Sequence, residues 1–138
     1  SVDEEERVRE AVEQMRQQLE LYKMDHVSEA VWEALLVDVD ETLRDVARDS
    51  TKKSESQALG EIREGIKAYT SSPQYQAEVG LRGAEDSLRE VQMRVEAGEL
   101  GDCSVADFEE LIARVEYLAI ERDRAAESRW EEGGAASG

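Results

Sequence analysis

Between Ser72 and Trp130 the chain repeats apolar residues at the spacing of two long helices folded back on each other. Few folds accept such a stretch. In the first arm Ala77, Leu81, Ala84, Leu88, Val91 and Val95 alternate steps of four and three, which keeps one narrow apolar seam on one side of a helix. Pro73 follows Ser72, and proline fits the first helical position, where a missing N–H costs nothing. Glu85 with Arg89, and Glu90 with Arg94, place a carboxylate four residues before a cation, each pair worth about 0.3 kcal/mol. Gly98 is a stop signal, and Glu99-Leu100-Gly101-Asp102 has turn composition. The second arm restarts at Ser104, which is placed to cap the N–H of Asp107. Its Phe108, Leu111, Ile112, Val115, Leu118, Ala119 and Ala126 share one helical face. A short turn between long amphipathic helices makes them antiparallel neighbours. Gly80 and Gly83 interrupt the first arm, at about 1 kcal/mol each relative to alanine. Close packing or a kink is the expected reason, and a functional hinge the sharper alternative.

Upstream, Asp3-Glu4-Glu5-Glu6 puts negative charge at the start of a first helix, where the macrodipole favours it. Val8, Val12, Met15, Leu19 and Tyr22 then keep the same four-three spacing. That narrow seam suits pairing with one neighbour or with another copy of the chain. Lys23 to Val27 contains no strong breaker, so Asp25 or Ser28 capping a new helix and a continuous rod to Ser50 both remain open. Val27 to Ala47 is the most hydrophobic segment, with Val31, Trp32, Leu35, Leu36, Val39, Leu43 and Val46 spread over about 140° of the helix. That breadth predicts contact with two or more helices and the deepest position. Asp49 to Ser56 is polar and reads as a mobile loop. Leu59, Ile62, Ile66 and Tyr69 mark a shorter helix weakened by Gly60 and Gly65. Glu131 to Gly138 has the composition of a flexible tail.

These patterns predict an all-α bundle of about four helices containing a long antiparallel hairpin with coiled-coil-like seams. The expected organisation is one domain over 1–131, with helices near 3–24, 27–48, 56–69, 73–97 and 104–130 and a tail over 132–138. With 138 residues the chain is long enough to bury a real core. No run of apolar residues is long enough to span a bilayer, and no charged-then-apolar leader opens the chain. A first residue of serine fits a processed or excised chain. Cys103 is the single cysteine and cannot form an internal disulfide, which fits a reducing cytosol or nucleus, and an intracellular, cytoplasmic location is expected.

The formal net charge of −17 disfavours direct binding to nucleic-acid phosphates or to an anionic membrane, since both need a basic footprint. It favours protein partners with basic patches. Catalytic and cofactor chemistry finds no support. His26 is the single histidine, so the paired Glu-x-x-His motifs of a helical di-iron site are absent, and no second residue completes a zinc set. Asp38-Val39-Asp40 opens like a calcium loop but lacks its glycine and closing glutamate. Gly80-Leu81-Arg82-Gly83 has neither the spacing nor the lysine of a phosphate loop. The sequence therefore predicts a non-enzymatic interaction or assembly module, without cofactor or metal, that docks another protein or a further copy of itself through helix faces. The rival is an acidic mimic of nucleic acid that occupies the basic groove of a nucleic-acid-processing protein. Candidate partner-binding residues are Glu29, Glu33, Asp40, Glu41 and Asp45 on the second helix, and Trp130 as an aromatic anchor.

Overall fold

The computed structural model describes residues 2–99 and 105–137, with side chains as far as residue 127. The protein is all-α: five α-helices and one 3-10 turn, with no strand among the described residues. Contacts fall into two compact units, Ser1–Ser71 and Ser72–Gly138, divided at the polar Thr70-Ser71-Ser72 break.

The first unit contains α1 (Val2–Asp25), α2 (Glu29–Ala47), a 3-10 turn (Ser50–Lys52) and α3 (Lys53–Thr70). Helix α1 has Asp3, Glu4 and Glu5 in its first turn and Lys23 in its last, the order the helix dipole prefers. It stops at His26, which takes φ 50° while the Val27 N–H reaches back to the Tyr22 carbonyl at 3.4 Å. That six-residue closure is a usual way to end a helix, although glycine is the common residue at the left-handed position. A continuous rod is thus ruled out, and α2 starts from Ser28 in extended conformation. The connector after α2 is ordered rather than loose. Asp49 Oδ1 accepts from the Thr51 N–H at 3.0 Å and from the Thr51 hydroxyl at 2.7 Å. This cap opens the 3-10 turn, and α3 follows directly at Lys53, ahead of the start expected near 56.

The core of this unit corrects one expectation. Helix α3 packs on both α1 and α2, whereas α1 and α2 touch only lightly. The deepest helix is therefore α3 and not α2. Leu59 and Ile66 of α3 and Val39 of α2 are the largest fully buried side chains. Gly65 explains the exchange: a Cβ there would lie 3.0 Å from Leu19 Cδ2, so the missing side chain lets α1 approach α3. One end of the core is aromatic. Trp32 meets Tyr22 edge to face at 5.8 Å between centroids and Tyr69 at 5.1 Å, and Lys23 Nζ lies 5.8 Å from the Tyr69 centroid.

The second unit is the hairpin of α4 (Pro73–Glu96) and α5 (Val105–Ser137). Ser72 Oγ accepts from the Tyr75 N–H at 3.2 Å, with Pro73 at the first helical position. Helix α4 runs unbroken through both inner glycines. A Cβ at Gly80 would meet Leu118 Cδ2 at an ordinary 3.8 Å, and one at Gly83 would meet nothing. Of the predicted ion pairs, Glu90–Arg94 forms at 2.7 Å, while Arg89 turns to Asp86 at 3.5 Å. Gly98 at φ 75° ends the helix, with the Glu99 N–H donating to the Arg94 carbonyl at 2.9 Å. The predicted turn residues Leu100, Gly101 and Asp102, together with Cys103 and the Ser104 cap, lie outside the described residues. Helix α5 continues to Ser137, past the end expected at Trp130. Gly133 and Gly134 cost about 1 kcal/mol each in a helix, and no proline enforces a stop.

Candidate functional site

The acidic candidates on α2 spread over about 160° of its outward arc. With about 100° of rotation per residue, Glu29, Glu33 and Asp40 fall along one edge of the outward arc, and Glu41 and Asp45 along the other. Exposed Val37 and Arg44 lie between the two edges. Asp40 is also engaged structurally: its Oδ1 accepts from Arg63 Nε at 2.8 Å, with both side chains about one-third exposed. It ties α2 to α3 and is not a free carboxylate waiting for a partner. Glu29, Glu33, Glu41 and Asp45 are exposed. Trp130 lies within α5, and its side chain is outside the described ones.

The hairpin presents a different surface. Leu81 and Ala84 of α4 are buried, but Leu88 and Val91 are only half-buried and Val95 is exposed. No described side chain of α5 is buried at all. Phe108, Leu111, Ile112, Val115, Leu118 and Ala119 all remain half-buried. Two helices in contact cover each other along one line only, so a seam broader than that line stays wet on its flanks. Sequence reasoning passed over two further residues of α5, Tyr117 and Ile120, which are 61% and 52% exposed. Their signal was available, because they fall off the seam yet stand three apart, one above the other on a helix.

Glu78 of α4 is a buried carboxylate that the pattern did not single out, at 5% exposure. It accepts from Gln74 Nε2 at 3.3 Å, one turn away.

A polar cleft of about 230 Å³ lies among Glu5, Val8, Arg9, Thr51, Lys52 and Glu55. Its charges balance, and the Lys52 ammonium reaches Asp49 at 3.8 Å. The Thr51 hydroxyl donates to Asp49 in the cap of the 3-10 turn, and the Ser54 hydroxyl to the neighbouring Glu55. Those bonds from Thr51, with the nearby Lys52 charge, hold the Asp49 carboxyl below its ordinary value. Among the described residues no group of three His, Cys, Asp or Glu side chains is placed to hold a metal ion. No described helix is long and apolar enough to cross a membrane. Protein-family models, curated proteins and solved structures return no match to this chain.

Proposed function

We propose that this protein is a non-enzymatic interaction module that docks another protein through the helix faces of its α4–α5 hairpin. The observation that carries the reading is the half-wet α5: a helix of 33 residues with no buried side chain among those described. Such a helix gains much of its stability from tertiary packing, and apolar surface left in water is the usual mark of an interaction site. The charge of −17 narrows the partner to one with a basic surface, through steering and a raised association rate. The rival, a nucleic-acid mimic, draws on the same charge. It is the weaker reading, because the α2 acids divide into two edges and Asp40 is held by Arg63.

The test is a tagged pull-down in rising salt, with hydrogen exchange measured on any complex recovered. The module reading expects a protein that stays bound at high salt and slows exchange along α4 and α5. Release at moderate salt with protection confined to α2 would contradict it and favour the mimic.

A further inference from the structure

Helix α5 carries apolar residues on two opposite faces. At about 100° per residue, the seam centred on Phe108, Val115 and Ala119 points one way. Ala106, Ala113, Tyr117 and Ile120 form a second stripe about 180° away. Contact between Leu118 and the Gly80 position turns the first face toward α4. The second stripe is exposed along its whole length, which is about 21 Å at the rise of a helix. Acidic rows separate the two faces. Glu109, Glu116 and Asp123 recur every seven residues along one border, and Glu110 and Glu121 lie along the other with Arg114. Glu109, Glu110 and Glu116 are exposed, while Asp123 already pairs with Arg122 at 3.2 Å and Glu121 with Arg124 at 3.4 Å.

We propose that this outer face of α5, centred on Tyr117 and Ile120, binds a basic amphipathic helix of another protein. The proposal rests on the interaction reading above and names both the surface and the chemistry of the partner. A tyrosine and an isoleucine side by side supply the kind of anchor around which helix-in-groove contacts form. The acidic borders then choose the occupant. A helix with an apolar stripe and lysine or arginine flanks meets Glu109 and Glu116 along one border and Glu110 on the other, as the flanking positions of paired helices do. A second copy of this chain would set acidic borders against acidic borders, with −17 on each molecule. Like charges at those positions select against pairing.

The experiment uses the intact chain and three synthetic helical peptides of about four heptads. One has leucine seams with lysine flanks, one leucine seams with glutamate flanks, and one serine seams with lysine flanks. Fluorescence anisotropy should show the first binding at least about tenfold more tightly than either other peptide. Y117Q/I120Q replaces exposed residues, so its helix content and melting should match the parent, while its affinity for the first peptide falls about tenfold or more. E109K/E116K/D123K should lose that peptide and turn its preference toward the glutamate-flanked one. Equal binding of the lysine- and glutamate-flanked peptides would overturn the proposal. So would full binding by Y117Q/I120Q; if α4–α5 amides are protected in that complex, the module reading survives and only this face fails. Concentration-dependent self-association abolished by Y117Q/I120Q, with no lysine-peptide binding, would likewise keep a docking hairpin and replace the basic partner with a second copy.

Discussion

The three-helix unit and the hairpin are made from nearly the same charge and very different packing. Residues 1–71 hold 18 acidic against 10 basic side chains, a net of −8, and residues 72–138 hold 16 against 7, a net of −9. Charge therefore does not distinguish them. What does is the number of neighbours an apolar stripe can reach. In the first unit α3 lies against two helices, so Leu59 and Ile66 leave water almost completely. In the hairpin α5 keeps its apolar residues half-wet along the seam and exposed outside it. Three helices can close a core; two helices cover a line. The lesson is that in this molecule function is expected where burial is unfinished.

The strongest way to break the comparison is to insert a charge into the closed core. Leu35→Asp puts an unpaired carboxylate at a site only 3% exposed and should cost more than about 4 kcal/mol, enough to unfold the first unit. Unchanged melting would remove α2 from the core. Leucine truncation comes next and compares the units directly. Leu59→Ala should cost about 3 to 4 kcal/mol, and Leu118→Ala in the hairpin about 2, because a leucine left partly exposed loses less burial and leaves no sealed cavity. Similar losses in denaturant melts would mean that the hairpin core is as closed as the other.

Glycines sharpen the contrast further, since the same residue type does opposite things in the two units. Gly65→Val should cost about 1 to 3 kcal/mol by overpacking Leu19. Gly83→Ala, in open space, should stabilise by up to about 1 kcal/mol through helix propensity alone. Thermal melts of both variants read the sign. His26→Gly belongs beside them. His26 takes the same left-handed position at the end of α1 that Gly98 takes at the end of α4, so the change should add about 1 kcal/mol. The smallest effect is at Asp49. Its carboxyl is held below the ordinary value of 3.8, so its contribution is fully present above that value and is lost as the pH falls through the lowered one. Asp49→Ala should melt slightly lower than the parent at about pH 6, and the difference should vanish in strong acid.

Periodicity made the helices legible, down to the capping Ser72 and the stop at Gly98, because each signal is local. Depth was not legible. The wide apolar arc of α2 pointed to the wrong central helix, since only the partner's approach, through Gly65 and Leu19, reveals which helix lies between two others. His26 hid a helix end because histidine seldom marks one. At the candidate site the acids of α2 were visible as composition, but the Asp40–Arg63 tie across 23 residues was not. Tyr117 and Ile120 were missed for the converse reason. Their spacing off the seam is visible, but only exposure decides that the second stripe of α5 faces water.

Native-state hydrogen exchange on the intact chain tests the central contrast most directly. Amides around Leu59 and Ile66 in α3 should exchange at the slow global rate, while those around Val115 and Leu118 in α5 should open at a cost at least about 2 kcal/mol smaller. Equal protection of α3 and α5 would contradict the account, because the hairpin would then have no unfinished surface to offer a partner.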